Sequence, residues 1–150
     1  LDQKAMDELA LHEKAVQDYI EKYDFLIAKG VPTSDMNAKS VYEHYKKAPE
    51  LHIEDAELFL KIIDEKYSYL SETARELFEG HTFYPCNMFI AKKELFEDYS
   101  KILFDVLEEF EKRADMSEYS REGYRTTGHL GERLAGKNRE STAWESCRLH

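Results

Sequence analysis

The chain has 150 residues, a formal net charge of −10 and 35% charged residues, and these values limit what it can be. The length suits one domain with one core. No segment reaches the roughly 18 to 20 consecutive apolar residues of a membrane-spanning helix. The negative charge argues against a nucleic-acid partner, because like charges repel. We therefore expect a soluble, acidic domain.

Cysteine usage and the chain start suggest where the protein resides. Cys86 and Cys147 could form at most one bridge, so a reducing compartment, the cytoplasm, is the simpler interpretation. Leu1 to Lys4 lead into a charged, helix-like run, which is not typical of a signal peptide. Because the sequence begins with Leu rather than Met, we expect it to be part of a longer protein and incomplete at its N-terminus.

The first third of the chain predicts two helices and one strand. Residues 3–22 carry a broken apolar stripe with helical spacing. Asp24–Ala28 is a short apolar run closed by a Gly/Pro boundary, which favours a buried strand. A short helix is predicted from about Lys39 to Lys47, before Pro49.

From Glu54 the helical period is clearer. Ser71 is expected to cap a further helix that runs to Phe78 and ends at Gly80. Before it, apolar residues recur at three- and four-residue steps, namely Ala56, Phe59, Ile63, Tyr67 and Leu70.

A second strand and two more helices complete the predicted elements. Phe83–Ile90 predicts a strand, with its proline at the start or on an edge. Lys92–Arg113 predicts a long helix whose apolar face we expect to lie against that strand. Its stripe is Leu95, Tyr99, Ile102, Leu103, Val106, Leu107 and Phe110. A last helix is predicted over Glu122–Ala135, and residues 137–150 remain unassigned.

Familiar short motifs do not decide the function. The sequence contains no glycine-rich phosphate loop, no paired-cysteine zinc spacing, no HExxH and no Asp-x-Asp triplet. Composition and periodicity therefore predict a helix-rich domain and go no further.

Four segments in register carry a family resemblance. They are YDFLI (23–27), YEHY with HIED (42–45 and 52–55), YPCNMFI with KKELF (84–90 and 92–96), and YS with LGERL (119–120 and 130–134). Together they resemble a bacterial family long labelled a domain of unknown function and found in capsular and exopolysaccharide glycosyltransferases. The family's usual N-terminal part, with its HYRR motif, is absent, and His129 replaces a usual Phe.

The resemblance implies an α/β, helix-rich fold, the C-terminal part of a GT-A-like nucleotide-diphospho-sugar transferase. The intact enzyme would take a nucleotide-sugar donor and a saccharide acceptor. A divalent cation, Mn²⁺ or Mg²⁺, follows by analogy only. We expect this chain alone to bind nucleotide-sugars weakly or not at all, to show no transfer, and to self-associate through an apolar edge. The rival interpretations are a non-catalytic helical interaction domain and a truncated transferase that folds without turnover.

The last predicted helix supplies the candidate catalytic residue. Arg125, Gly128, His129 and Glu132 share one helical face by their spacing. With the resemblance, Glu132 becomes the candidate base that deprotonates an acceptor hydroxyl, and Arg125 could balance diphosphate charge. The alternative is that Glu132 and Arg133 form a surface pair.

The remaining candidates are substrate-binding residues. His52 and Asp55 match the family pattern and could bind sugar hydroxyls, or they could only cap and charge a helix N-terminus. Asn87 makes either a structural hydrogen bond or a sugar contact. Arg133 is also assigned to substrate binding, and no metal ligand is assigned. We expect His52, Asp55, Asn87, Arg125 and Glu132 to converge on one cleft.

Overall fold

The computed structural model describes residues 13–27, 29–85 and 89–134, and in this part the chain is a helix-rich small domain with a few short strands. Its α-helices are α1 (Glu13–Lys22), α2 (Val41–Lys47), α3 (Ile53–Lys66), α4 (Ser71–Glu79), α5 (Lys93–Arg113) and α6 (Thr126–Leu134). Its strands are β1 (Phe25–Ile27), β2 (Val31–Pro32), β3 (Thr82–Phe83) and β4 (Phe89–Ala91). Within these ranges, no helix is long and apolar enough to cross a membrane.

The predicted helices are confirmed where the structure describes them, with shifted ends. The first is seen over Glu13–Lys22, and residues 1–12 of the prediction lie outside the described part. Helix α2 begins at Val41, because the Ser40 side chain accepts a hydrogen bond from the backbone N–H of Glu43 and so caps the helix. Residues 137–150 also lie outside the described part.

The expectation that Ser71 caps a helix was wrong. Ser71 is the first residue of α4, and Leu70 occupies the capping position without a side-chain hydrogen bond. Helix α3 ends at Lys66 because Tyr67 leaves the helical conformation, with φ at −137°. A 3₁₀ turn over Ser68–Leu70 then joins the two helices, so the chain continues from turn to helix without a separate cap.

The prediction of one strand over Phe83–Ile90 was also wrong. Its two ends form two strands in different antiparallel ladders: β1 pairs with β4 and β2 pairs with β3. Residues 28–30 connect β1 to β2, and residues 84–88 connect β3 to β4.

The last helix starts later than the predicted Glu122. A 3₁₀ turn over Gly123–Arg125 precedes α6, and Ala135 lies outside the described residues. Gly123 is buried in this turn, where an added Cβ would lie 3.2 Å from Cβ of Tyr119 and 3.4 Å from the carbonyl oxygen of Glu50. A glycine therefore lets the turn approach the loop before α3 without displacing Tyr119.

The core lies between helices rather than on a sheet. Helix α5 packs mainly on α3 and α6, so the expectation that its apolar face would lie against the Phe83–Ile90 strand was wrong for most of that face. Phe89 contacts one end, with its ring centroid 5.4 Å from that of Tyr99. The fully buried aromatic and aliphatic side chains include Tyr45, Phe59, Ile62, Phe78, Val106, Phe110 and Leu130.

Leu103 and Phe104 offer a matched test of this core. Leu103 is buried on α5, whereas its neighbour Phe104 is 60% exposed. We expect Leu103→Ala to lower the free energy of unfolding by about 2 to 5 kcal/mol, because it leaves a cavity. Phe104→Ala should change it by less than about 1 kcal/mol. Urea unfolding at low protein concentration measures both; equal losses would mean that the assigned helix face is not the buried one.

Buried phenols predict a loss of stability at alkaline pH. Burial raises the pKa of Tyr45 and of Tyr99 to about 12, above the ordinary value of 10.0. A raised folded-state pKa contributes stability that is complete below pH 10 and is lost as the pH rises through about 12. We expect unfolding in this window, with late tyrosine ionisation at 295 nm. Ionisation of all tyrosines near pH 10 would contradict the burial.

Candidate functional site

A buried carboxylate organises the centre of the molecule. Asp55, in the first turn of α3, is 4% exposed. Its Oδ1 accepts a hydrogen bond from the Tyr119 hydroxyl and its Oδ2 accepts one from the Thr126 hydroxyl, both at 2.8 Å. The Thr126 oxygen lies 2.7 Å from the Tyr45 hydroxyl. Asp55 is therefore satisfied by protein groups and holds three distant segments together.

The direction of these hydrogen bonds follows from the chemistry of the groups. An ionised carboxylate only accepts, so Thr126 must donate its single proton to Asp55. Tyr45 then donates to Thr126. Burial, followed by the hydrogen bond to Asp55, raises the pKa of Tyr119, which keeps this phenol protonated as a donor. The result is a fixed chain of donors that ends on one negative charge.

His52 lies at the outer end of this network. Its ring stacks on Tyr119, with centroids 4.1 Å apart and planes 13° apart. His52 occupies the capping position of α3, but its side chain makes no capping hydrogen bond. The capping alternative therefore does not describe this histidine. Its side chain is exposed, unlike that of Asp55.

Arg133 lies at the inner end and is not a surface residue. It is 4% exposed, and its guanidinium carbon lies 4.8 Å from the Tyr45 ring centroid and 4.9 Å from that of Phe83. Its Nη1 donates to the backbone oxygen of His129 at 2.7 Å and lies 3.9 Å from the Glu132 carboxylate. The surface-pair alternative is therefore wrong for Arg133. Burial lowers the pKa of this guanidinium.

Two buried nitrogens beside Phe83 lack partners among the described residues. These are Nε of Arg133 and Nδ1 of His44. The His44 ring centroid lies 5.4 Å from that of Phe83. Burial, and then the charge of Arg133, lowers the pKa of His44, so this imidazole is neutral at pH 7. A buried cation with an unused N–H is costly, which makes this location attractive for an anion.

Side chains of α6 and of the 3₁₀ turn before it form the polar face that the spacing predicts. Glu122 pairs with Arg125 at 2.7 Å and lies 3.9 Å from Nε2 of His129, whose Nδ1 lies 3.9 Å from Glu132. Glu132 and His129 are about one-quarter exposed, whereas Arg125 is mostly in solvent. An added Cβ at Gly128 would meet no described atom within 4 Å. A ligand could approach the carboxylate there.

The predicted site residues are thus brought together in part. Tyr119 contacts both His52 and Asp55. Glu122 and His129 connect Arg125 to Glu132. Asn87 lies outside the described residues, so the predicted cleft remains a prediction. Within the described ranges, no three His, Cys, Asp or Glu side chains cluster closely enough to hold a metal ion. The described residues therefore offer no ligand set for the divalent cation.

Sequence reasoning missed four residues of this region: His44, Tyr45, Tyr119 and Thr126. His44, Tyr45 and Tyr119 belong to the segments that carry the family resemblance, but nothing local distinguishes them from core residues or surface polar residues. The hydrogen-bond partners of Tyr45, Tyr119 and Thr126 lie 64 to 81 positions away along the chain. A single sequence gives no signal for such pairs.

Asp55 and Asp64 form a matched pair of carboxylates on α3. We expect Asp55→Asn to lower the free energy of unfolding by about 1 to 3 kcal/mol, because an amide cannot accept both hydroxyl protons. Asp64 pairs with Arg75 in a partly exposed ion pair. Asp64→Asn removes the same charge and should cost less than about 1 kcal/mol. Denaturant titration measures both, and similar losses would show that the network does not stabilise the fold.

Comparison with solved structures gives one similar protein. The chain is similar to WbbM, a bifunctional glycosyltransferase, in its apo structure, with 28% sequence identity and a TM-score of 0.82. The match covers 99% of this chain and 25% of that one, so the chain spans about a quarter of the protein it matches. No curated protein matches the sequence.

A family model covers most of the chain. The family is described as "Domain of unknown function (DUF4422)", and its model matches residues 2–137. This range includes the Asp55 network, the buried Arg133 and the polar face of α6. The chain therefore belongs to the DUF4422 family.

Proposed function

We propose that this chain is part of a glycosyltransferase that moves a sugar from a nucleotide-sugar donor to a saccharide acceptor in surface polysaccharide synthesis. The observation that carries the proposal is the similarity to a bifunctional glycosyltransferase over 99% of the chain. The capsular or exopolysaccharide pathway and the GT-A-like arrangement follow from the resemblance of the sequence blocks. The family membership alone names no activity.

In this proposal Glu132 is the catalytic base. Its carboxylate is half-buried, 3.9 Å from a nitrogen of His129 and 3.9 Å from Arg133. The acceptor hydroxyl would attack the anomeric carbon of the donor and give its proton to Glu132, while the bond from that carbon to the diphosphate oxygen breaks. General-base catalysis of this kind contributes about 10²- to 10⁴-fold in rate.

Arg133 and His44 are the groups we assign to the diphosphate. The leaving group gains negative charge as the bond breaks, and a guanidinium in a low-dielectric environment stabilises such charge strongly. Arg133 is buried with an unused Nε–H, and the unpartnered Nδ1 of His44 lies nearby beside Phe83. Among the described residues, the negative charge nearest to the Arg133 guanidinium is the Glu132 carboxylate, at 3.9 Å. An arriving diphosphate would supply negative charge at closer range.

The exposed phenylalanines of α5 favour a second candidate function, a helical interaction domain. Phe96 and Phe104 are 50% and 60% exposed, and Ile90 lies in the strand before them. Single exposed aromatics are ordinary, whereas several on one side mark interfaces. An interaction domain needs no donor affinity, so nucleotide-sugar binding separates the two candidates.

The experiment uses the natural protein that carries this chain. Calorimetry with UDP-, GDP- and dTDP-sugars, with and without Mn²⁺, measures donor binding, and a transfer assay measures turnover. We expect Glu132→Gln to keep donor binding and lower turnover by about 10²- to 10⁴-fold. Arg133→Met should abolish donor binding, with a small change in stability because relief of desolvation opposes loss of the aromatic contacts.

Glu65→Gln is the matched control. Glu65 lies on α3 and pairs with Arg113 on α5, so this ion pair does not involve α6. The substitution should leave binding and turnover unchanged. Normal turnover in Glu132→Gln would remove the base assignment. Absence of donor binding and transfer in the unaltered protein would overturn the transferase proposal and favour the interaction domain.

A further inference from the structure

An exposed aromatic cluster borders the Asp55 network on its outer side. It consists of His52, Tyr119 and Tyr124, which we call the aromatic platform. His52 stacks on Tyr119, and Tyr124 meets Tyr119 edge to face, with ring centroids 6.5 Å apart. Tyr124 is 55% exposed and His52 is also exposed. Three adjacent rings, two of them open to solvent, are not needed to fill a core.

Hydrogen bonds hold the middle ring of the platform and the turn that carries Tyr124. Tyr119 donates its hydroxyl proton to the buried Asp55, and the backbone N–H of Tyr124 donates to the carbonyl oxygen of Ser120 at 3.1 Å. The Ser120 hydroxyl bonds to Glu50 and also accepts from the N–H of Gly123 at 3.1 Å. A fixed surface loses little conformational entropy when a ligand binds, so even a few contacts can give measurable affinity.

Three glutamates lie near the platform, and one of them is paired with an arginine. Glu50 is hydrogen-bonded to Ser120, and the charge of Glu54 acts on Tyr119. Glu122 lies in the turn before Tyr124, where it already pairs with Arg125. Carboxylates accept hydrogen bonds from hydroxyl groups and repel phosphate groups. The carboxylates of this border therefore suit a neutral ligand that is rich in hydroxyls.

We propose that the platform binds the neutral saccharide acceptor, by packing the apolar C–H face of a pyranose ring against Tyr124 and His52. The equatorial hydroxyls of such a ring point outward to the carboxylate border, while the ring face covers the aromatic surface. This inference rests on the proposed function and extends it, because it gives the acceptor a location apart from the cationic group assigned to the donor. The Asp55 network connects the two locations.

The binding experiment uses the natural protein that carries this chain and a panel of neutral methyl pyranosides and disaccharides. Saturation-transfer NMR detects binding, and titration gives the dissociation constant. Tyr124→Ala removes an exposed ring, so the fold should be unaffected and the affinity should fall roughly 3- to 10-fold. Tyr69→Ala is the matched control, since Tyr69 is 57% exposed and contacts Tyr67 instead. It should bind as the unaltered chain does.

Tyr119→Phe separates ring packing from folding. It keeps the aromatic ring but removes the hydroxyl that donates to Asp55. We expect saccharide binding to persist while the melting temperature falls. If no saccharide in the panel binds at millimolar concentration, or if Tyr124→Ala binds unchanged, the platform proposal is overturned. The platform proposal is also overturned if Tyr124→Ala abolishes self-association and leaves saccharide binding intact.

The two proposals fail separately. If the natural protein transfers sugar and Tyr124→Ala leaves that transfer unchanged, the platform proposal is wrong and the transferase proposal stands. Saccharide binding that depends on Tyr124, in a protein without donor binding or transfer, would keep the platform and remove the transferase.

Discussion

The buried carboxylate of Asp55 is the constraint on which the rest of the molecule depends. A carboxylate removed from water is costly unless hydrogen-bond donors replace its hydration. Here the hydroxyls of Tyr119 and Thr126 replace it, and Tyr45 completes the chain of donors. These partners come from the turn before α6, from α6 itself and from α2. Hydrophobic contacts alone would permit helices to slide, whereas these hydrogen bonds fix one arrangement.

The same network sets the positions of both candidate binding groups. At one end, the Tyr45 ring lies against the guanidinium of Arg133, and at the other end the Tyr119 ring lies against His52. One end offers positive charge and the other offers aromatic surface with a negative border. A reaction that joins a charged donor to a neutral acceptor benefits from such a division, because each substrate is disfavoured at the other's location. The distance between the two candidate binding groups is then set by the buried side chains of the Asp55 network.

The local pattern predicted the helices well, because amphipathic spacing is a property of neighbouring residues. Lys93–Arg113 forms one helix with its apolar stripe inward, as its period indicates. The strand over Phe83–Ile90 could not be divided from sequence, since the division depends on pairing with residues more than 50 positions earlier. Propensity says that a segment is extended and does not name its partner.

Neighbouring residues of the candidate site show the same limit. Glu132 and Arg133 are adjacent, and a charged pair on a helix predicts two surface residues. The carboxylate is half-buried, but the guanidinium lies between two aromatic rings that come from α2 and β3. Spacing gave the shared face of Arg125, His129 and Glu132. The burial of Arg133 and the partners of Asp55 required the tertiary structure.

The two short ladders have a consequence for the order of folding. Each joins residues separated by about 50 to 66 positions, so closing them costs more chain entropy than forming the helices between them. The helices α2, α3 and α4 are joined by short turns and can associate before the strands meet. We therefore expect the ladders to close late and to exchange their amide hydrogens earlier than the helices.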